Sequence, residues 1–272
     1  MFFIIFNFTL AGGLFVIAMM TLNKVSTPRE VVFASLPLLF SLHQFTQGFV
    51  WLGMYGLIGE RPLQLAEGIF VFYAQGLLQF LVPLSLWLIE PAGIRRKLIG
   101  ALMVTGAVLM VYTLYGLAVE PTSVYVKDNV LVYVNAWTHK EWVALIYVLT
   151  TCGSLLLSRS IAIQLFGFLN LLGLTLVHLF VPYGFTSLWC LYAAAVSVLL
   201  YFYFVERRIR FLKDLKKREI HLSTEFEKEL GRLKQRYPHL RKKWERRFQS
   251  WKTVILGAES IEKEKEEALK NT

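Results

Sequence analysis

The sequence predicts an all-α integral membrane protein, a bundle of seven transmembrane helices followed by a helical cytoplasmic tail. Of the 272 residues, 56% are hydrophobic, against roughly 45 to 50% in an ordinary soluble domain. The apolar residues fall in blocks, and several blocks exceed the roughly 18 residues that cross the hydrocarbon layer. A charged segment then begins abruptly at residue 206. These observations predict a transmembrane domain over 1–205 and a tail over 206–272.

Seven apolar segments are predicted to cross the membrane as helices, because backbone polar groups in lipid must be satisfied within the segment. They cover residues 2–22, 31–58, 66–89, 98–119, 142–158, 161–181 and 185–205. The first segment lacks the basic region and cleavage site of a secretory signal, so we interpret it as a span. The fifth segment is short, and its turn into the sixth is tight.

Basic residues in the short loops orient these spans, because such residues are preferentially kept on the cytoplasmic side. With the N-terminus outside, six basic residues lie in cytoplasmic loops and three in outer loops. The six are Lys24, Arg29, Arg95, Arg96, Lys97 and Arg159, and the three are Arg61, Lys127 and Lys140. The sequence therefore predicts a multi-pass protein of the cytoplasmic (inner) membrane, with its N-terminus out and its C-terminus in.

The longest outer loop, Glu120 to Glu141, contains the stretch "SVYVKDNVLVYVNAW". Two alternations of β-branched and aromatic residues flank Lys127, Asp128 and Asn129, which is typical of a small β-hairpin. An ordered loop without strands is the alternative.

The tail is basic and has a helical repeat. It holds 20 Lys and Arg against 12 Asp and Glu, a net charge of +8 out of +10 for the chain. Apolar residues recur at steps of 4, 3, 4, 3 and 4, at Phe226, Leu230, Leu233, Tyr237, Leu240 and Trp244. This heptad-like stripe predicts two helical segments, the second beginning near Pro238. It suits a homo-oligomer, a helical partner or anionic lipid headgroups. Interspersed acidic residues make nucleic acid an unlikely partner.

Polar residues within the second and third spans form the main candidate site. His43, Gln47 and Trp51 are four residues apart and share one helical face. Gln75 and Gln79 have the same spacing.

Counting from a turn centred near Arg61 gives the depth of these residues. The count puts Gln47 and Gln75 both 14 residues away, and His43 and Gln79 both 18 away. The four polar side chains are therefore predicted to converge near the middle of the membrane, where such groups serve function or bond helices together. Among these residues, His43 most favours a functional role, because histidine changes its charge near neutral pH.

Two other candidates lie nearer the outer surface. Glu67 begins the third span and His178 ends the sixth, so the two side chains could pair across an outer mouth or lie separately in water. Glu90, beside Arg95 to Lys97, is explained by a local ion pair. The sequence predicts no metal site and no catalytic group. His43 is the only plausible metal ligand at mid-membrane, whereas a metal site needs several ligands. The sequence leaves any other cofactor unknown.

The stretch "SLPLLFSLHQFTQGFVWLG", with "LVPLSLWLIEP" after it, resembles an uncharacterised family of bacterial polytopic membrane proteins. The family shares a Leu-Pro-Leu-Leu-Phe run, a His/Gln-Gln pair, Glu or Gln before Gly, Val-Trp, and a Glu-Pro that closes the third span. The matching residues here are Pro37, His43, Gln44, Gln47, Gly48, Trp51, Glu90 and Pro91. The resemblance covers the first three spans. It implies the same architecture and polar face, and no activity.

Three functions remain open at this point. The first is a sensory or small-ligand-binding membrane protein, with a mid-membrane pocket around His43, Gln47, Gln75 and Gln79 and an output through the tail. The second is a transporter or channel subunit whose path these residues line. The third is an enzyme acting on a lipid or quinone through Glu67 and His178. Gln44 and Thr46 point away from the polar face, so we expect them to bond neighbouring helices.

Overall fold

The computed structural model describes residues 1–138 and 140–236 and is mostly helical. Within these ranges, five helical segments are long and apolar enough to cross a membrane. They are Phe2–Leu22, Glu60–Ile89, Ile94–Val119, Ile161–Phe180 and Pro182–Lys217. The predicted all-α membrane class is confirmed at this level.

The first span is α1, Phe2–Leu22. After a 3₁₀ turn, Pro28–Glu30, come the short α2, Val31–Ala34, and α3, Leu36–Met54. Helix α3 lies in the second predicted span but is not one of the five segments. Four polar residues near its middle, His43, Gln44, Thr46 and Gln47, lower its mean hydropathy. It packs along α1.

The turn after α3 differs from the predicted one. Gly56 has a φ of +71°, its N–H donates to Gly53, and the N–H of Leu57 donates to Leu52. This is a Schellman cap, which ends the helix at a left-handed glycine. Helix α4, Glu60–Val71, begins soon after. The turn is therefore centred near Leu57, and Arg61 already belongs to α4.

The third predicted span is a helix with an irregular middle. Helix α4 continues through a π-helical segment, Phe72–Leu77, into α5, Leu78–Ile89. Pro83 inside α5 has no N–H to donate to the carbonyl of Gln79. Helix α6, Ile94–Val119, packs against this irregular stretch. A Cβ at Gly106 of α6 would overlap that same carbonyl, so glycine permits the approach.

A two-stranded antiparallel hairpin follows α6, with β1 Ser123–Lys127 and β2 Val130–Val134. Lys127 pairs with Val130, which leaves Asp128 and Asn129 as the two-residue turn, both with positive φ. Asn and Asp tolerate the left-handed conformation that such tight hairpin turns require. Strand β2 is packed into the bundle, where Leu131, Val132 and Tyr133 are buried. We call this the hairpin end.

The second half of the bundle begins with α7, Glu141–Val148, which runs through a second π segment, Leu149–Gly153, into α8, Ser154–Leu157. Together they form a shorter apolar helix, Glu141–Leu157. Then come α9, Ile161–Phe180, a 3₁₀ turn, Pro182–Gly184, α10, Phe185–Val196, and α11, Val198–Arg236.

The chain divides into two compact units, Met1–Phe211 and Leu212–Thr272. Residues 212–236 of the second unit are helical, as the later part of α11. The predicted stripe falls on Phe226, Leu230 and Leu233, whose side chains are outside the described part, and on Tyr237, Leu240 and Trp244, which lie outside the described residues with Pro238.

Two buried carboxylates organise the end of the first unit opposite the hairpin, which we call the basal end. Glu30 is 2% exposed and accepts hydrogen bonds from Arg207 Nε at 2.6 Å and the N–H of Ser26 at 2.9 Å. Glu90 accepts from Ser158 Oγ and from the N–H of Arg159, both at 3.1 Å. The explanation of Glu90 by an ion pair with Arg95, Arg96 or Lys97 is therefore wrong.

Candidate functional site

A cavity of about 390 Å³ lies beside the hairpin. Six parts of the chain supply its wall: the first π segment, β2 and the residues after it, α7, the end of α9, the 3₁₀ turn Pro182–Gly184, and the start of α10. The lining residues include Gln75, Tyr133, Lys140, Glu141, Ala144, Tyr147, His178, Tyr183, Phe185, Thr186 and Trp189. Of these, Lys140, Glu141, Ala144 and His178 are exposed, so they mark the mouth.

Four of the twelve buried side-chain polar atoms without a hydrogen-bond partner in the described residues belong to lining residues of this cavity. Tyr133 Oη, Tyr147 Oη and Trp189 Nε1 are buried and have no partner, and neither does Gln75 Oε1. The three aromatic residues are each at most 6% exposed. Most buried polar groups in proteins are hydrogen-bonded, and an orphaned one costs about 1 to 3 kcal/mol. The four atoms lie just behind the surface of the cavity, since none of them is exposed.

Gln75 reaches the cavity because of the π segment. Its main-chain carbonyl accepts from Gln79 Nε2 at 2.7 Å and from Thr113 Oγ1 at 3.1 Å. Its side-chain Nε2 donates to Thr186 Oγ1 at 3.0 Å. Short π-helical stretches in α-helices are frequent at functional sites. Here three hydrogen bonds hold the stretch in place, and Gln75 Oε1 has no hydrogen-bond partner.

The start of α10 brings two of the predicted glutamines together. Gln75 donates to Thr186, and Gln47 donates to the adjacent Ser187. Ser187 is buried, and Gln47 Oε1 has no partner. The predicted convergence of Gln47 and Gln75 is therefore mediated by hydroxyl groups of a distant helix.

His43 lies behind the cavity wall. It is 2% exposed, and its ring stacks on Phe70 with centroids 4.0 Å apart. Phe70 in turn stacks on Tyr133 at 4.2 Å. Neither nitrogen of His43 has a partner. The histidine that the sequence singles out is thus joined to the cavity through a stack of three rings.

The revised turn explains this position of His43. Because the turn is centred near Leu57, His43 lies opposite Phe70 and Tyr73, whose ring centroid is 6.2 Å from that of His43. The prediction, which centred the turn near Arg61, placed His43 at the level of Gln79. Gln79 is fully buried and bonds within its own helix.

The remaining predicted residues lie in different surroundings. Trp51 is buried against α1, where its ring stacks on Phe3 at 4.7 Å. Glu67 is buried on α4, whereas His178 is exposed at the cavity mouth and packs edge-on to Phe185. No ion pair or hydrogen bond joins Glu67 and His178 in the described part of the chain.

The interior of the cavity is uncharged. Lys140 and Glu141, of opposite charge, are adjacent at the exposed mouth. Lys140 Nζ lies 3.3 Å from Tyr112 Oη and 5.5 Å from the centre of the Trp137 ring. Burial, with smaller contributions from Cys190 and Glu67, raises the pKa of Tyr133 well above its ordinary value. Tyr133 is therefore a neutral hydroxyl that can donate or accept.

A second, small cavity of about 20 Å³ lies on the other side of Tyr147 and Trp189. Their rings meet edge to face at 5.1 Å, and Leu36, Phe40, Leu155 and Phe166 supply apolar wall. Such a volume holds about one water molecule. The Tyr147–Trp189 pair thus separates a wide chamber from a narrow apolar pocket.

Sequence reasoning missed the aromatic donors and the α10 hydroxyls. A tyrosine or tryptophan in an apolar span is ordinarily core, and nothing in the local pattern shows that its polar tip is unpaired. Gln44 was also misjudged, since it is fully buried with neither side-chain polar atom bonded. Thr46 does bond locally, to the carbonyl of Leu42.

Within residues 1–138 and 140–236, no group of three or more His, Cys, Asp or Glu side chains is placed to hold a metal ion. The wall of the cavity is aromatic and amide in character.

The chain matches a protein family described as "Family of unknown function (DUF6629)" over residues 7–214. Comparisons with curated proteins and with solved structures found no match. The matched region includes every bundle residue of the cavity wall. The chain belongs to this family.

Proposed function

We propose that this DUF6629 member is a multi-pass protein of the cytoplasmic membrane that binds a small molecule at its hairpin end and transmits the bound state to its helical tail. The observation that carries the proposal is the cavity of about 390 Å³ with four partnerless polar atoms among its lining residues. Small-molecule sites are typically concave and mostly apolar, with a few polar groups.

The proposal includes seven spans. Helix α3 has 19 residues and at 1.5 Å each is about 28 Å long, close to the thickness of the hydrocarbon layer. Its polar residues His43, Gln44 and Gln47 are buried in the bundle, so its lower mean hydropathy does not oppose insertion. Glu141–Leu157 is the other added span, shorter than the rest.

The orientation follows from charge. The six basic residues of the basal loops and the basic tail favour the cytoplasmic side for the basal end. The cavity mouth would then face the outside of the cell.

A continuous line of helix supports coupling to the tail. Helix α10 carries Thr186 and Trp189 of the cavity wall, and after a bend at Ser197 the chain continues as α11. At the basal end Arg207 of α11 is fixed to the buried Glu30 and donates to Tyr203 Oη at 2.9 Å. A shift of α10 on binding would thus be passed to the Glu30–Arg207 contact.

A thermal-shift screen of a small-molecule library tests the binding function on full-length protein in nanodiscs. Ala144 lines the cavity at an exposed position, so Ala144→Trp narrows the chamber. Ala101→Trp, at an exposed position of α6 outside the cavity lining, is the matched control. We expect compounds that stabilise the wild type and the control but not Ala144→Trp. Stabilisation of all three proteins alike would contradict a function of this cavity.

Transport is the second candidate, favoured by one observation. The small apolar cavity continues beyond the Tyr147–Trp189 pair, so movement of that pair would extend the chamber further into the bundle. Uptake of a stabilising compound into sealed liposomes, abolished by Ala144→Trp, would support transport over sensing. Binding without uptake would favour the sensor.

A further inference from the structure

We propose that the basal end of the bundle binds the phosphate group of an anionic phospholipid, at a cluster of basic side chains where two loops meet. The cluster consists of Arg95, Arg96 and Lys97 at the start of α6 and Arg159 between α8 and α9. None of these residues lines the cavity at the hairpin end, so the lipid site is separate from the proposed small-molecule site. The inference depends on the joining of the two loops, their positive charge, and the exposed apolar residues beside them.

The two loops are held together by hydrogen bonds around a buried carboxylate. Glu90, which is 6% exposed, accepts from Ser158 Oγ and from the N–H of Arg159, both at 3.1 Å. Arg95 Nη1 donates to the carbonyl of Ser158 at 3.1 Å. The guanidinium of Arg95 is therefore fixed beside the residue that precedes Arg159. A guanidinium carries several N–H donors, so Arg95 retains donors for a second acceptor.

The cluster carries positive charge that the protein does not neutralise. Glu90 is the one carboxylate in these two loops, and it accepts from a hydroxyl and a main-chain N–H. No salt bridge joins the four basic side chains to a carboxylate within residues 1–138 and 140–236. Four positive charges and one negative charge leave a net charge of +3. Arginine donates strong, charge-assisted hydrogen bonds to phosphate, and its planar fork matches the phosphate oxygens.

Apolar residues beside the cluster indicate that this phosphate belongs to a lipid. Helices α6 and α9 begin at Ile94 and Ile161, whose side chains are 70% and 80% exposed. One turn further along, Leu98 and Leu165 are exposed as well. Both helices are apolar and long enough to cross a membrane, and the short α8 packs against both. Acyl chains attached to a phosphate at the cluster would cover these side chains, whereas a free anion would leave them uncovered.

Trp87 indicates that the cluster lies at the level of the lipid headgroups. The guanidinium carbon of Arg96 lies 4.5 Å from the centre of the Trp87 ring. Tryptophan is enriched at membrane–water interfaces, where its ring lies among the headgroups. Basic pockets between transmembrane helices on the cytoplasmic side are typical of sites for anionic lipid headgroups. The fixed pair of loops, the charge and the adjacent apolar surface together fit an anionic phospholipid.

The test is native mass spectrometry of the full-length protein in detergent with three probes. Dioleoylphosphatidylglycerol is the anionic lipid, and dioleoylphosphatidylcholine is the neutral lipid with the same acyl chains. Glycerophosphoglycerol is the anionic headgroup without acyl chains. We expect phosphatidylglycerol to bind at least roughly fivefold more tightly than phosphatidylcholine. We also expect glycerophosphoglycerol not to displace the bound lipid.

Two double variants assign the bound lipid to the cluster. Arg95→Gln/Arg159→Gln removes one guanidinium from each loop. Lys97→Gln/Arg159→Gln is the second variant, used where loss of the Arg95–Ser158 bond lowers folding yield. The side chains of Lys97 and Arg159 are exposed and make no hydrogen bond in the described part of the chain. Each double variant should weaken binding of phosphatidylglycerol by roughly fivefold for each basic residue removed.

Lys24→Gln/Arg29→Gln is the matched control. It removes the same charge at the basal end, from the loop between α1 and α2, and should bind phosphatidylglycerol as the wild type does. Equal affinity for the two lipids would overturn the proposal. A preference that both double variants leave unchanged, or that the control loses to the same extent, would also overturn it, because the basic residues would then act only in orienting the helices.

Displacement of the lipid by glycerophosphoglycerol would contradict the lipid source, since the cluster would then bind free phosphate compounds. The library screen with Ala144→Trp uses a different site and a different readout. Failure of the lipid proposal therefore leaves the proposed function unaffected, and failure of that screen leaves the lipid proposal unaffected.

Discussion

The hairpin end and the basal end of the bundle treat buried polar groups in opposite ways. At the basal end the buried carboxylates of Glu30 and Glu90 each accept hydrogen bonds from two residues. At the hairpin end Tyr133, Tyr147 and Trp189 are equally buried, yet their polar atoms have no partner. A satisfied buried network rigidifies a protein, whereas unsatisfied groups cost stability. The difference agrees with the proposal of a structural junction at one end and a binding site at the other.

The contacts within the two ends also differ. The basal contacts join residues far apart in sequence, such as Glu30 and Arg207, and so fix the start of the tail helix to the bundle. The cavity wall joins six separate parts of the chain, and two of them contain or adjoin π segments. An end that must adjust to a ligand is expected to be the less tightly bonded one.

The seam between α5 and α6 should give the largest effect on stability. In Gly106→Ala the added Cβ overlaps the carbonyl of Gln79, a backbone atom that cannot rotate away. We expect a loss of about 3 kcal/mol, measured as a lower Tm in detergent. Because this seam supports the π segment of Gln75, ligand binding should weaken as well. Gly68→Ala is the control, since a Cβ at Gly68 meets nothing within 4 Å. Equal stability of the two variants would remove this support for the cavity wall.

The basal carboxylate should give the next largest effect. Glu30→Gln removes the charge that Arg207 Nε meets at 2.6 Å, so we expect a lower Tm corresponding to about 2 kcal/mol, and a smaller loss if water reaches the partly exposed arginine. The exposed pair Glu206–Arg210, at 3.7 Å, is the control, and Glu206→Gln should cost less than about 0.5 kcal/mol. If the two variants cost the same, the basal end is not the rigid junction described here.

The pH dependence of stability probes the hairpin end. Because the pKa of Tyr133 is raised in the folded protein, the unfolded chain loses this proton first as the pH rises above the ordinary value of 10.0. The folded state is then disfavoured, by up to about 1.4 kcal/mol per pH unit. Above pH 10, the Tm of Tyr133→Phe should therefore fall less steeply with rising pH than the Tm of the wild type.

Val132→Ala is the control for this pH dependence, since it alters an equally buried neighbour that does not titrate. It should shift Tm by the same amount at every pH. A slope in Tyr133→Phe as steep as in the wild type would mean that Tyr133 is not held neutral by its surroundings.

Much of the helical framework could be predicted, because apolar blocks and helix length depend on local sequence. The helix carrying His43 and Gln47 and the hairpin around Asp128 and Asn129 follow from patterns of a few residues. The turn after α3 could have been placed better, since Gly56 is a typical C-cap residue. Centring it on Arg61 instead moved the expected partner of His43 by about two helical turns, from Phe70 to Gln79.

The cavity wall could not be predicted, because its residues meet only in three dimensions. Thr186 and Ser187 lie more than 100 residues from the glutamines that they bond. Whether the tips of Tyr147 and Trp189 find partners depends on packing between distant helices. Of the predicted site residues, Gln75 and His178 line the cavity, whereas His43, Gln47 and Gln79 do not.

Thermal unfolding of Tyr147→Phe, with and without a compound that stabilises the wild type but not Ala144→Trp, tests most directly whether the hairpin end binds a ligand. Removing a partnerless hydroxyl should leave the ligand-free Tm unchanged or raise it. Ser158→Ala at the basal end loses a hydrogen bond to Glu90. Its free energy of unfolding should fall by about 1 kcal/mol, which is measured as a lower Tm. The account predicts that Tyr147→Phe keeps its ligand-free Tm and that the compound raises its Tm less than it raises the Tm of the wild type. A fall in ligand-free Tm like that of Ser158→Ala, with an undiminished rise in Tm on adding the compound, would contradict it.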